Sequence, residues 1–111
     1  MDRIIKIIDK EIEAIFTNRA KALLEQLENK PLMEIITEIT EKMGVIKIDT
    51  VINLVYAGVK YAEGGNKINR DELYDLLPME SSELAKITAK LLSVLLHDTA
   101  LMKYKDTEGK K

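Results

Sequence analysis

One stretch, residues 49–64, constrains the fold more than any other because it is apolar on nearly every side. Within it, only Asn53, Gly58 and Lys60 are expected to face water comfortably. A helix that is apolar nearly all round is buried on several sides. The sequence therefore predicts a central helix over Thr50–Glu63, with other helices packed around it.

The ends of this central helix carry residues suited to capping. Asp49 or Thr50 is expected to accept hydrogen bonds from free backbone N–H groups at the start. Gly64 is expected to supply the left-handed residue that ends the helix. Gly58 lies in the interior, where glycine costs roughly 1 kcal/mol relative to alanine. Close approach of a neighbouring helix would explain that cost.

Composition indicates an ordinary soluble fold and excludes several classes of function. The chain has 111 residues with a net charge of -2, 46% hydrophobic residues and no cysteine. We expect one domain over residues 1–104 and a flexible Lys-rich tail over 105–111. Lysine and glutamate are mixed throughout, so no clustered basic face suggests a nucleic-acid partner. No signal peptide or membrane-spanning segment is expected, which predicts a cytoplasmic protein.

The N-terminal residues fit two different structures. Ile5, Ile8, Ile12 and Ile15 form a helical stripe, whereas alternation around Asp9-Lys10 fits two short strands. β-branched isoleucine favours strands, but the turn has no glycine or asparagine. Local pattern leaves hairpin and helix open for residues 3–16.

Two helices are predicted before the central one. Thr17 is the expected N-cap of a helix that continues to about Glu28. A second helix is expected to begin at Pro31, continue to about Met43 and end at Gly44.

Two further helices are predicted after the central one. Asn69 and Glu72 have capping-box spacing for a short helix over Arg70–Leu77, which Pro78 stops. Ser81 or Ser82 is expected to cap a last helix that extends from Glu83 to about Lys103. The predicted core comprises Leu23, Leu24, Leu27, Ile35, Ile36, Ile39, Ile52, Val55, Tyr56, Val59, Leu73, Leu76, Leu77, Leu84, Ile87, Leu91 and Leu95.

The last helix carries more apolar surface than one small core needs. Its second apolar face contains Ala85, Ala89, Leu92 and Leu96, and Met102 lies near its end. Excess apolar surface either closes a homo-oligomer or binds another protein. These five residues are the candidate protein-binding site. The alternative is that Ala89, Leu92 and Leu96 pack on the N-terminal element.

The sequence offers little support for catalysis or for a bound cofactor. His97 is the only histidine, and its neighbour Asp98 points in a different direction on a helix. The glycines at 64 and 65 do not have P-loop spacing. Carboxylate pairs such as Glu34 and Glu38 have no histidine partner with which to bind a metal. We therefore expect no enzyme activity, no cofactor and no metal site.

The order of segments resembles that of the small tail assembly chaperones of long-tailed bacteriophages and prophages. The residues that carry the resemblance are N-L-V-Y-A-G-V-K-Y-A at 53–62 and I-N-R-D-E-L-Y-D-L-L at 68–77. A looser match covers residues 5–20 and includes E-I-E-A-I-F-T at 11–17. The first turn departs from the family pattern because Asp9-Lys10-Glu11 has no glycine.

This resemblance implies a fold and a role. It favours the N-terminal hairpin, so we expect a mainly α fold, a single domain of about five helices with a small β-hairpin; an all-α fold is the alternative. It implies a non-enzymatic protein that binds the tape measure protein, keeps it soluble during tail assembly and also meets the tail tube protein. A small helical interaction or regulatory domain that acts as a homo-oligomer is the rival hypothesis.

Overall fold

The computed structural model describes residues 1–7, 10–42, 45–78 and 80–109, with side chains described as far as residue 100. Two strands and five helices are present in this part of the chain. In chain order they are β1 (Ile4–Ile7), β2 (Lys10–Glu13), α1 (Asn18–Glu28), α2 (Leu32–Glu41), α3 (Ile48–Lys60), α4 (Leu73–Leu76) and α5 (Ser81–Gly109). The expected mainly α fold with an N-terminal hairpin is therefore confirmed.

The N-terminal residues form an antiparallel hairpin in which one face is buried. Ile5 pairs with Ile12, and Ile7 pairs with Lys10. The side chains of Ile5, Ile7 and Ile12 all lie in the core. Successive side chains of a strand point to opposite faces, so these three isoleucines share the face that packs on the helices. Burial on this face determines the strand register and explains why the hairpin forms without glycine in its turn.

Helix α1 begins where the sequence predicts, and α2 begins one residue after the predicted start. The Thr17 side chain accepts a hydrogen bond from the Ala20 N–H at 3.1 Å, and Asn29 ends α1 in the left-handed conformation. Helix α2 begins directly after Pro31. It ends at Glu41, two residues before the predicted end, and the expected cap at Gly44 lies outside the described residues.

Helix α3 is the central helix, although its ends differ from the prediction. It begins at Ile48 with Lys47 as N-cap, so the predicted caps Asp49 and Thr50 are wrong. It ends at Lys60, and Gly64 adopts its positive φ of 82° in the turn that follows. The Asn53 side chain, expected to face water, is only 4% exposed. Gly58, also expected to face water, is buried, and Lys60 is half-buried. The predicted burial of the apolar residues of α3 is confirmed.

Other elements approach α3 closely at Gly58. A Cβ atom there would lie 3.1 Å from Cζ of Phe16 and 3.2 Å from Cδ2 of Leu91 on α5. The Gly58 carbonyl also accepts a hydrogen bond from the Ile15 N–H at 2.9 Å. The predicted close approach is therefore confirmed, and it involves the segment after the hairpin as well as a helix.

The last two helices differ from the prediction at their starts. Helix α4 is a single turn, and Asn69 accepts from the Asp71 N–H instead of forming a capping box. Helix α5 begins at Ser81, and the Glu80 carbonyl accepts its first hydrogen bonds, so the predicted serine cap is wrong. Because α5 continues to Gly109, it extends beyond the predicted end near Lys103. The division into a domain over 1–104 and a flexible tail stays a prediction.

The core lies between the hairpin, α1, α2, α3, α4 and the first half of α5. Most of the predicted core residues are buried or packed against it, whereas Leu27 is only half-buried. The list of predicted core residues leaves out a group contributed mainly by the hairpin, the segment after it and α3: Ile5, Ile7, Ile12, Ala14, Phe16, Ala20, Val51, Leu54, Ala57, Ala62, Leu92 and Val94. Burial of Val51, Leu54 and Ala57 nevertheless agrees with the prediction that α3 is apolar on nearly all sides. No helix in the described residues is long and apolar enough to cross a bilayer.

Candidate functional site

Helix α5 has a buried side and an exposed side over residues 81–100. The buried side chains pack against α3 and the hairpin region and are Thr88, Leu91, Leu92, Val94, Leu95 and Asp98. The exposed side is formed by Ala85, Ala89, Ser93, Leu96 and Ala100, which follow one another at intervals of three or four residues. Residues at this spacing lie on one face of a helix. We call these five residues the α5 outer face.

The α5 outer face consists mostly of small side chains and contains no charged residue. Four of its side chains are alanine or serine, and Leu96 is the one large apolar side chain, with 44% of its surface exposed. Lys86 and His97 are exposed beside it. Small side chains let another helix approach closely, and Leu96 offers an apolar contact to it.

The structure separates the five residues of the predicted protein-binding site. Ala85, Ala89 and Leu96 are exposed on the α5 outer face. Leu92 is 8% exposed and belongs to the core, so it is not available to a partner. The Met102 side chain lies outside the described side chains. Ser93 and Ala100 also lie on this face, but the sequence analysis did not identify them. Their side chains are small and do not form a recognisable apolar stripe.

A buried carboxylate fixes the position of α5 against the hairpin. The Asp98 side chain accepts two hydrogen bonds from the Arg3 guanidinium, at 2.5 and 3.0 Å. It also accepts the Phe16 backbone N–H at 2.8 Å. Arg3 donates in addition to the Ala14 carbonyl at 3.2 Å. The Asp98 side chain therefore connects α5 to Arg3, just before the hairpin, and to Phe16, just after it.

The charges around Asp98 favour its ionised form. Burial acts to raise the pKa of Asp98, but hydrogen bonds from Arg3 and from the Phe16 N–H outweigh it and hold that pKa below its usual value. Lys21, on α1, donates to the Asp98 backbone carbonyl at 3.4 Å, and burial lowers the pKa of Lys21. These contacts connect α5 to α1 and to the residues on either side of the hairpin, so we interpret the Arg3–Asp98 pair as structural.

The contacts of the Asp98 carboxylate do not support catalysis by the His97-Asp98 pair. The Asp98 carboxylate is taken up by Arg3 and Phe16, and the His97 side chain is exposed. A catalytic acid of a triad instead orients the histidine through a hydrogen bond. In the part of the chain that the structure describes, no three histidine, aspartate or glutamate side chains are grouped to hold a metal ion.

A second polar network joins α1, α3 and the segment before α4. The Asn53 amide donates to the Glu28 carboxylate at 2.5 Å and accepts from Nε of Arg70 at 2.7 Å. The Thr50 hydroxyl donates to the same carboxylate at 3.1 Å. Buried polar groups are stable when their hydrogen bonds are made, which explains how Asn53 is accommodated inside the apolar helix.

A groove lies near the N-terminal end of α5, away from Asp98 and beside strand β1. Its volume is about 610 Å³. Residues of β1 form one side, and the first turns of α5 with the Leu76–Pro78 segment form the other. It is open to solvent and is separate from the α5 outer face, because none of the five outer-face residues lines it.

Comparison with known proteins identifies no relative. No protein-family model, no curated protein and no solved structure matches this chain.

Proposed function

We propose that this protein is a tail assembly chaperone of a bacteriophage or prophage, a non-enzymatic protein that acts in the cytoplasm of the bacterial host. It binds the tape measure protein and keeps it soluble until tail tube subunits polymerise around it. The observation that carries the proposal is the α5 outer face. It offers a partner helix an uncharged surface on which Leu96 is 44% exposed.

The physical requirements of such a chaperone fit this surface. A tape measure protein is long and helical, and its apolar stripes would associate with one another in water. A small protein that covers such a stripe with its own apolar surface prevents that association. Helix α5 has 29 residues, which corresponds to roughly 43 Å at 1.5 Å per residue and is long enough to cover several turns of a client helix.

The order of secondary structure also supports the proposal. The resemblance to tail assembly chaperones implies an N-terminal hairpin before the helices, and local sequence pattern leaves that point open. The hairpin is present in the structure. This agreement concerns the fold only, and the role still depends on an interaction that must be measured.

Co-expression with the tape measure protein of the same phage or prophage tests the proposal. We expect the tape measure protein to be soluble when this chain is present and to aggregate when it is absent. Purification through a tag on this chain is expected to recover both proteins together. Equal solubility of the tape measure protein without this chain contradicts the proposal.

Two matched variants locate the binding surface. Ala89→Arg places a charge in the middle of the α5 outer face, whereas Ala22→Arg makes the same change at an exposed alanine of α1. Both sites are exposed, so both variants are expected to fold with unchanged far-UV circular dichroism. We expect Ala89→Arg alone to lose the rescue of solubility. Equal loss in both variants, or in neither, shows that the α5 outer face is not the client site.

The same face supports one other function, a homo-oligomeric interaction domain. A partner of identical sequence would cover Leu96 equally well. Size-exclusion chromatography with light scattering distinguishes the two. An oligomer that Ala89→Arg dissociates, together with an insoluble tape measure protein in the co-expression experiment, favours the oligomeric domain over the chaperone.

A further inference from the structure

The outer edge of strand β1 is open to solvent along part of its length. The Ala14 N–H donates to the Arg3 carbonyl at 2.9 Å, and the register pairs Ile5 with Ile12. In an antiparallel pair, residues that bond across the ladder alternate with residues whose backbone groups point away. The backbone groups of Ile4 and Lys6 therefore point away from β2, toward the groove.

Two side chains of this protein form hydrogen bonds with the backbone N–H and C=O of Ile4. An Asp2 carboxylate oxygen accepts the Ile4 N–H at 3.0 Å, and the Lys90 ammonium donates to the Ile4 carbonyl at 2.9 Å. Asp2 and Lys90 also form an ion pair at 3.0 Å. This edge thus already binds a carboxylate between a backbone N–H and a lysine. The Asp2 and Lys90 side chains are 65% and 36% exposed, and such exposed contacts contribute little free energy, so a ligand can replace them.

The groove beside this edge combines an apolar wall with a rim of charged side chains. Leu76, Leu77, Pro78 and Ile87 supply apolar surface across from β1. Three lysines line the groove, Lys6, Lys86 and Lys90, against two acidic residues, Glu11 and Glu83. Glu83 is paired with Lys86 at 3.4 Å. Lys6 lies opposite Glu11 in the hairpin register and Lys90 is paired with Asp2, so displacement of Asp2 leaves Lys90 as the cation with which a ligand carboxylate can pair.

We propose that this groove binds an extended acidic segment of another protein, which adds to β1 as a third strand. The backbone of the segment pairs with the outward N–H and C=O groups of Ile4 and Lys6. One apolar side chain of the segment packs on Ile87 and the Leu76–Pro78 segment, and a neighbouring carboxylate takes the place of Asp2 at Lys90. A second copy of this protein fits less well, because pairing β1 with β1 would bring two lysine-lined grooves together. The inference does not rest on the proposed function, which concerns a different surface.

A peptide titration of the complete ¹⁵N-labelled protein tests the proposal by NMR. The probe is a capped peptide of about nine residues that alternates valine and glutamate, long enough to form one strand. We expect saturable shifts of the Ile4, Lys6 and Ile87 amides. A peptide of equal length that alternates valine and lysine is expected to bind about tenfold more weakly. Equal binding of both peptides, or shifts centred on Glu13 at the outer edge of β2, overturns the proposal.

A set of variants at the two sheet edges separates backbone pairing from charge. Lys6→Pro removes an outward N–H that takes no part in the pairing with β2, and it is expected to weaken binding of the valine–glutamate peptide about tenfold. Lys6→Ala removes the same charge but keeps the N–H, so its affinity is expected to stay within about threefold. Glu13→Pro makes the equivalent change on the outer edge of β2, at a residue that does not line the groove, and is expected to leave the affinity unchanged.

The variants also detect the other outcomes. Equal weakening by Lys6→Pro and Lys6→Ala shows that charge alone carries binding and overturns strand addition. Amide shifts at Ile4 and Lys6 that depend on protein concentration without peptide overturn the proposal in favour of self-pairing. Should Lys6→Pro fail to fold, the amide shifts of the unsubstituted protein and the comparison of the two peptides still decide the question.

Discussion

Asp98 shows how one residue can set the position of a long helix. Its carboxylate receives the Arg3 guanidinium and the Phe16 N–H while only 9% of the residue is exposed. Both partners come from the N-terminal segment, more than eighty residues away along the chain. A bidentate arginine–carboxylate pair fixes direction as well as distance. The orientation of the α5 outer face relative to the hairpin therefore depends on this residue.

Removal of the Asp98 carboxylate is expected to destabilise the protein strongly. In Asp98→Ala the Arg3 charge and the Phe16 N–H lose their partner in a largely buried place, which costs about 3 kcal/mol. Urea unfolding followed by circular dichroism measures this loss. Asp75→Ala, at an exposed aspartate of α4, is the control and is expected to change stability by less than about 0.5 kcal/mol. A similar small change in both variants would show that the ion pair contributes nothing.

At the scale of elements, α3 is the helix on which the others are assembled. It contacts α1, α4 and α5, and its Gly58 carbonyl receives the Ile15 N–H after the hairpin. Its apolar character on nearly all sides follows from those neighbours. Asn53 is the exception within it, and hydrogen bonds with Glu28 and Arg70 compensate for its burial.

A larger side chain at Gly58 is expected to disrupt this assembly. Because Phe16 and Leu91 lie 3.1 and 3.2 Å from the position of an added Cβ, Gly58→Leu forces them apart and costs about 3 kcal/mol. Thermal unfolding measures the effect as a lower Tm. Ala22→Leu, at an exposed site on α1, adds a comparable apolar side chain where there is room and serves as the control. An unchanged Tm for Gly58→Leu would contradict the observed contact.

At the scale of the whole molecule, the N-terminal hairpin and the last helix are brought together by polar contacts at two points. Arg3 meets Asp98 at one end, and Lys90 meets Asp2 and Ile4 at the other. The first contact is largely buried and the second is exposed. Since exposed ion pairs contribute little, the dependence of global stability on pH should follow the buried contact more than the exposed one.

Acid is expected to weaken the protein through Asp98. Its pKa in the folded state is lower than the usual value of 3.8, so the folded state binds the proton less readily than the unfolded chain. The resulting stability is present above about pH 4 and is lost as the pH falls through the lower, folded-state pKa. Urea unfolding between roughly pH 6 and 2.5, which extends below the usual pKa of an aspartate, measures this change.

The comparison variant for the acid experiment is Asp98→Asn, which cannot ionise at that position. We expect the difference in unfolding free energy between the unsubstituted protein and Asp98→Asn to shrink as the pH falls. Asp2 and Glu38 also have lowered pKa values, through hydrogen bonds with Ile4 and Lys30 respectively, but both proteins share them. A difference that is constant with pH would exclude Asp98 as a source of acid sensitivity.

Much of the helical framework was determined by the sequence itself. Thr17 and Pro31 mark helix starts, and Pro78 follows the end of α4, because each acts through its own backbone or through residues within one turn. The burial of α3 followed from its composition. These signals are local, so they do not depend on how the rest of the chain packs.

Only the tertiary structure decided the hairpin, the buried polar groups and the exposed face of α5. Residues 3–16 fit helix and strand equally, and burial of Ile5, Ile7 and Ile12 on one face selected the strands. The sequence pattern places Asn53 in water and gives no sign that Asp98 is buried, because the partners of both residues lie far away in sequence. Leu92 and Leu96 have the same side chain four residues apart, yet one is in the core and one is exposed, since only the neighbouring elements determine which side of α5 is covered.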